Sequence, residues 1–301
     1  MTTTDENYSA QPVVFEVELP SEKRLTCNTF VHCWGNEQNP AVVLLHGFMQ
    51  SGKTWEPLAL ELAKTYYVIA PDLIGHGKTT LSNAEEPMAY SLPMYIDQIE
   101  VVISLLCPQA PVAMIGYSMG GRMAALFATS YPDKVSTVIL ESAGLGPANG
   151  QERAERTEKN NVTVEKLNTM LFPDFVEYWQ ELPLFASQKE LPEIVRAQVY
   201  NERLNNDPEA LALSVEFAGA HRMTNLRLPL CSTSQPVLYL AGSKDVTYTE
   251  VAQSLAQKAE SFNATEHIET KIVENAGHNI HLEKPEEFLS LVKEYLAAHY
   301  Q

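Results

Sequence analysis

The order of apolar and polar positions divides the chain into three stretches. Over residues 12–34 apolar and polar side chains alternate with period two around turn chemistry at Pro20-Ser21-Glu22, which predicts a strand pair opening a sheet. From residue 41 the apolar positions form short unbroken runs at 41–45, 66–70, 112–115 and 135–140, the pattern of parallel strands buried on both faces. A helix is predicted over 94–106, and another follows the run at 112–115. Residues 146–230 then read as helices alone, with polar faces and no strand-like run. After them the alternation resumes with a strand at 236–241, a helix at 249–261, a strand at 269–273 and a closing helix at 285–299.

Strands and helices alternating around one helical insertion predict an α/β fold with a mostly parallel central sheet. Residues 1–145 and 231–301 would form the core, and 146–230 a helical cap, or lid, near the carboxyl edge of the sheet.

Composition narrows the class. Hydrophobic residues make up 45% of the 301 positions, and no apolar run approaches the roughly 18 residues of a membrane span, so a soluble globular protein is expected. The first residues carry neither a basic segment nor an apolar core, which predicts a cytoplasmic location. Cys27, Cys33, Cys107 and Cys231 have neither metal-ligand spacing nor the density of a disulfide scaffold and are expected as buried free thiols. The formal charge of −17 excludes nucleic acid and anionic membrane as partners, because an acidic surface is repelled by both. An anionic small-molecule substrate would need a local basic patch working against that field. A monomer without metal or cofactor is expected.

The chemistry concentrates around Val112-Ala-Met-Ile-Gly-Tyr-Ser118-Met-Gly-Gly-Arg122. An apolar run entering Gly116-x-Ser118-x-Gly120 and leaving as a helix reads as strand, sharp turn and helix, the arrangement of a nucleophile elbow. Serine needs an imidazole held by a carboxylate. Asp245 follows one predicted strand and His278 the next, in the order serine, acid, histidine. Glu141, past the strand after the elbow, is a substitute acid, and His281 is expected as a capping or surface residue. The backbone N–H groups of Phe48 and Met119 are the expected oxyanion hole. A literal phosphate-loop match, Gly47-Phe-Met-Gln-Ser-Gly-Lys53-Thr54, competes for the same loop. It is set aside because Pro57 would fall in the first turns of the helix that such a loop opens, whereas an oxyanion loop ending at Trp55 lets Pro57 begin that helix.

The elbow, His46-Gly47-Phe48, Pro71-Asp72-x-x-Gly75-His76-Gly77 and Ala276-Gly277-His278 together resemble the α/β-hydrolase superfamily over residues 40–145 and 232–300. Within it, Gly116-Tyr-Ser-Met-Gly-Gly-Arg122, Glu141-Ser-Ala-Gly-Leu145, Gln151-Glu-Arg153-Ala-Glu-Arg156, Tyr178-Trp179, Pro183-Leu-Phe185 and Glu202-Arg203-Leu-Asn205-Asn206 resemble, in this order, the 2-succinyl-6-hydroxy-2,4-cyclohexadiene-1-carboxylate (SHCHC) synthases of menaquinone biosynthesis. The resemblance implies elimination of pyruvate from a polycarboxylate, with Ser118 made basic by His278 and Asp245. Carboxylates would be bound by Arg122, Arg156 and Arg203, in a pocket shaped by Tyr117, Trp179 and Phe185. The arginine distribution agrees: of eight, Arg153, Arg156, Arg196, Arg203, Arg222 and Arg227 lie in the insertion, and Arg122 lies four residues after the serine. Arg153 and Arg156 also fit a solvated helix face paired with Glu152, Glu155 and Glu158. The sequence departs from these synthases at residues 219–225, where His221 and Arg222 read as solvated loop residues, and in its longer N-terminus. The alternatives are a carboxylesterase or carbon–carbon bond hydrolase for another anion, and a non-catalytic ligand-binding homologue.

Overall fold

The computed structural model describes residues 8–18, 24–108 and 111–300. The predicted turn at Pro20-Ser21-Glu22 lies outside them. Strands β1 (Tyr8–Glu18) and β2 (Arg24–Trp34) pair antiparallel, from Tyr8 opposite Trp34 to Glu18 opposite Arg24. Then follow β3 (Ala41–Leu45), α1 (Glu56–Leu62), β4 (Tyr67–Pro71), the short β5 (Thr80–Leu81), α2 (Leu92–Leu106), β6 (Val112–Tyr117), α3 (Met119–Ser130) and β7 (Val135–Glu141). The chain next makes helices only: α4 (Gly150–Thr169), α5 (Phe172–Gln180), α6 (Glu193–Leu204), α7 (Pro208–Ala218) and α8 (Arg227–Ser232). It returns to the sheet with β8 (Val237–Gly242), α9 (Val246–Ser261), β9 (Ile268–Val273), α10 (Ile280–Glu283) and α11 (Pro285–His299).

Among the described residues the strands form one sheet in the order β1-β2-β4-β3-β6-β7-β8-β9, with β5 beside β2. From β4 to β9 every neighbouring pair is parallel. The unbroken apolar runs explain why: every residue of β3, β4, β6 and β8 is buried, so both faces must be covered. Tyr95, Met123, Phe127 and Leu255 cover one face, from α2, α3 and α9. Leu58 and Leu62 of α1 and Phe288, Val292 and Leu296 of α11 cover the other. Each such side chain contributes about 1.5–3 kcal/mol through burial.

Helix α9 begins three residues before the apolar pattern suggests. The Asp245 carboxylate accepts from the Tyr248 amide at 3.3 Å and caps the helix, so the backbone turns helical directly after the acid. The insertion has an apolar centre of its own, made of Leu167, Phe175, Val176, Leu211 and Ala212, into which Met49 of the core also projects. Its two ends meet: the Leu226 amide donates to the Leu145 carbonyl at 2.8 Å, and Arg227 Nη1 to the Gly146 carbonyl at 3.2 Å.

The elbow sits where α3 crosses β3 and β6. Ser118 has φ +50° and ψ −105°, a conformation costly for a residue with a side chain. The crossing is so close that a Cβ on Gly120 would overlap the Leu45 carbonyl oxygen, and one on Gly116 the backbone of Gly120 and Gly121. Gly120→Ala is therefore expected to lower unfolding stability by about 1–3 kcal/mol, as overpacking does. Urea denaturation measures it, and an unchanged midpoint would mean that the crossing tolerates a methyl group.

Candidate active site

The strand ends bring three side chains together that lie far apart in sequence. His278 Nε2 stands 3.0 Å from Ser118 Oγ, and His278 Nδ1 stands 2.6 Å from Asp245 Oδ2. The histidine and aspartate side chains are nearly inaccessible, 1% and 3% exposed. A carboxylate accepts only, so Nδ1 carries the proton and donates to it, which leaves Nε2 free to take a proton from serine.

Around the serine, Phe48 and Met119 present backbone amides. Met119 opens α3, so its N–H has no acceptor within the helix, and among the described residues the Phe48 amide donates to no backbone carbonyl. The Phe48 loop is braced from below. The Leu73 amide donates to His46 Nε2 at 2.9 Å, so His46 Nδ1 carries the hydrogen that donates to the Gly47 carbonyl at 2.8 Å. Asp72 accepts from the Gly52 and Lys78 amides, each at 2.7 Å. Burial keeps His46 below its usual pKa and pushes His76, beneath Phe48, down to about 3, so both imidazoles are neutral supports. Lys53 is turned to Glu56, the Gly52 amide is taken by Asp72, and α1 starts only at Glu56 with Pro57 in its first turn. This loop cannot cradle a phosphate.

The serine faces a cavity of about 50 Å³ lined by Phe48, Tyr117, Trp179, Phe185, Arg203 and His278, among others. Arg203, Gln50 and Asn279 also line a neighbouring cavity of about 500 Å³. Arg203 is buried, its guanidinium 4.9 Å from the centre of the Phe185 ring and 3.5 Å from Gln188 Oε1. Burial lowers its pKa to about 10. Arg122 and Arg156 line neither of these cavities; they meet over Gly144, and both act on Tyr248. Arg122 donates to the Ala218 carbonyl at 3.2 Å, and burial lowers its pKa. Among the described residues neither Arg122 nor Arg203 has a carboxylate partner, whereas Arg156 is paired with Glu152. A desolvated cation without a counter-ion is expensive unless a ligand supplies the charge.

Of the other insertion arginines, Arg153 and Arg222 are exposed, as a solvated position requires, and Arg227 is buried. Arg153 donates to the carbonyls of His221 and Met223, Arg222 to that of Glu216, and Arg227 to Gly146 and Ser254, so these three hold the insertion together. His221 is not a solvated loop residue: it is half-buried, with its Nδ1 2.6 Å from Asn160 Nδ2. Three of the four free cysteines are buried and Cys107 is half-buried.

His281 is neither a cap nor a surface residue, which corrects the sequence reading. Its Nδ1 lies 2.6 Å from Glu141 Oε2, its amide donates to Glu141 Oε1 at 3.0 Å, and its ring packs on Trp55, 4.2 Å between centres. Glu141, completely buried, is committed to this pair and does not reach His278. Tyr117 stands between the two histidine rings, 5.3 Å from His278 and 5.1 Å from His281.

Sequence reasoning missed Tyr248. Its ring lies 4.6 Å from that of His278, its hydroxyl interacts with Ser118, and burial raises its pKa while Arg122 and Arg156 lower it. The sequence signal was available: a tyrosine three residues after the acid, in the first turn of the helix that the acid caps.

An elbow serine, an acid after β8 and a histidine after β9 on this sheet define an enzyme of the α/β-hydrolase fold, and the family model for the alpha/beta hydrolase fold matches residues 40–285. A putative 2-succinyl-6-hydroxy-2,4-cyclohexadiene-1-carboxylate synthase of Bacillus subtilis (strain 168) is 33% identical over 267 residues, 88% of this chain and 93% of that protein. The synthase of that name from Salmonella heidelberg (strain SL476) is 28% identical over 258 residues, 84% and 92% of the two chains. The solved structure of MenH from S. aureus superposes with a TM-score of 0.80 at 26% identity, covering 98% of this chain and all of that one. The chain belongs to the SHCHC synthase family.

If the unpaired arginines await carboxylates, a tricarboxylate should bind without being turned over. Citrate is expected to raise the melting temperature, with stabilisation approaching about 2.7 kcal/mol at 100 times its dissociation constant. A double Arg122→Ala, Arg203→Ala variant should show no shift in the same thermal scan.

Proposed function

We propose that the enzyme is a carbon–oxygen lyase that eliminates pyruvate from 2-succinyl-5-enolpyruvyl-6-hydroxy-3-cyclohexene-1-carboxylate to give 2-succinyl-6-hydroxy-2,4-cyclohexadiene-1-carboxylate, in menaquinone biosynthesis. The observation that carries the reading is Arg203, a buried guanidinium with no carboxylate partner among the described residues, in the cavity faced by a serine bonded to a histidine–aspartate pair. The names of the relatives point to the same reaction.

In this reading Ser118 is a base, not a covalent nucleophile. Its Oγ takes the ring proton beside the succinyl carbonyl and passes its own to His278 Nε2, while Asp245 holds the resulting imidazolium. The electron pair from that C–H bond forms the new ring double bond at C2–C3, the existing one moves to C4–C5, and the C5–O bond breaks. Enolpyruvate leaves and becomes pyruvate on gaining a proton. Negative charge gathers on the succinyl carbonyl oxygen, where the Phe48 and Met119 amides serve as donors. Arg122, Arg156 and Arg203 clamp the carboxylates bidentately, and Tyr117, Trp179 and Phe185 shape the pocket. Residues 146–230 act as the lid over the 1–145 and 231–301 core. No cofactor enters this chemistry, and the partner is a small polycarboxylate met by a cytoplasmic monomer.

Pyruvate release from enzymatically generated substrate tests the reading. Ser118→Ala should lose roughly 10³-fold or more in kcat, and Arg156→Ala about 10²-fold in kcat/KM against less than twofold for exposed Lys159→Ala, since a clamp in a shielded pocket outweighs a surface charge. Equal small effects of the two cation changes would remove the clamp. Because Arg203 loses its charge as pH rises through about 10, KM is expected to stay level from about pH 7 to 9 and to climb as pH 10 is passed.

A further inference from the structure

The loop that carries Phe48 is not finished by the core alone. The next residue, Met49, has φ +61°, which residues with side chains adopt at a cost. Glycine would relieve that cost, yet a fully buried methionine stands there, and its side chain lies inside the apolar centre of the insertion with Phe175, Val176 and Leu211. The backbone of Met49 is held from the same side. Asn206, buried just beyond α6, donates from Nδ2 to the Met49 carbonyl at 3.2 Å, and also to the carbonyls of Glu202 and Arg203 at 3.2 and 3.1 Å. Its Oδ1 accepts from the Gly77 amide at 3.3 Å. One amide thereby joins the Phe48 loop, the glycine loop and the end of the helix that bears Arg203. A second link runs from Ser51 Oγ to Glu202 Oε1 at 2.5 Å.

We infer that Met49 and Asn206 are positioning residues through which the helical insertion sets the direction of the Phe48 amide, so that seating the insertion and completing the oxyanion hole are one event. The inference rests on the proposed role of Phe48 as a donor. Met49 works as a peg: its side chain fills a hole in the insertion only if its backbone takes the left-handed turn, and that turn is what leaves the Phe48 amide with no backbone acceptor among the described residues. Asn206 locks the turn by taking the carbonyl it exposes. The same asparagine fixes the last turn of α6, so the Arg203 guanidinium and the Phe48 amide are registered to each other across two parts of the fold.

The test uses the full chain with Asn206→Ala and Met49→Gly, the second of which relieves the backbone strain while removing the peg. Amide hydrogen exchange over residues 46–55 is expected to quicken by about tenfold or more in both, with α3 exchanging as before. In pyruvate release, kcat should fall by roughly 10²-fold with KM changed by less than about threefold, the pattern of a contact made only in the transition state. Unchanged exchange in either folded variant overturns the coupling, as does a loss confined to KM, which would mean that Asn206 serves Arg203 alone. If the unaltered chain releases no pyruvate while loop exchange still responds to both substitutions, the lyase reading falls and the mechanical link stands.

Discussion

The close crossing of α3 over β3 and β6 is the constraint on which the site depends. With no side chain at Gly116 or Gly120, the helix can start almost in contact with the sheet, and Ser118 is forced into a backbone conformation it would not choose. That geometry does two things at once. It raises the hydroxyl above the carboxyl ends of the strands, where the loops after β8 and β9 bring the aspartate and the histidine, and it starts α3 directly beside the serine. A helix packed a few ångströms further out would lose both, whatever residues followed Ser118.

The sheet was legible because parallel strands buried on both faces leave a plain mark in sequence, and the observed strands fall within a residue or two of the apolar runs. The serine, aspartate and histidine were legible for a related reason: each stands directly after one of those runs, and the order along the chain matches a known arrangement. What could not be read were pairings decided in three dimensions. Chain order pointed to Asp245 as the acid, but nothing in the sequence showed that the substitute acid, Glu141, is held by His281. The insertion arginines look alike in sequence, yet Arg153, Arg222 and Arg227 end on backbone carbonyls while Arg203, buried beside Phe185 and Gln188, keeps no anionic partner among the described residues. Only burial and partners separate a stitch from a binding group. Tyr248 was passed over for the opposite reason, as one ordinary helix residue whose neighbours become visible only on folding.

Charge is distributed with the same economy of position. The chain carries a formal charge of −17, and the cations near the serine lie at depth, desolvated by the insertion and the core together. A charge in low-dielectric surroundings interacts strongly with a group a few ångströms away. In the proposed reading, an anion is therefore selected at the cavity rather than by the field of the whole surface.

The insertion leaves and rejoins the core at a single neck, where Leu226 is bonded to Leu145 and Arg227 to Gly146. Two chain ends a hydrogen bond apart can be bridged by a tight turn in place of some eighty residues, and closing so short a gap changes the entropy of the remaining chain little. The sheet, the elbow and the order of the strands do not depend on what is threaded through that neck. An architecture of this kind can exchange its roof as a module, trading one set of pocket walls for another while the proton-handling apparatus below stays in place, and this is a physical route by which one scaffold comes to serve chemically unrelated reactions.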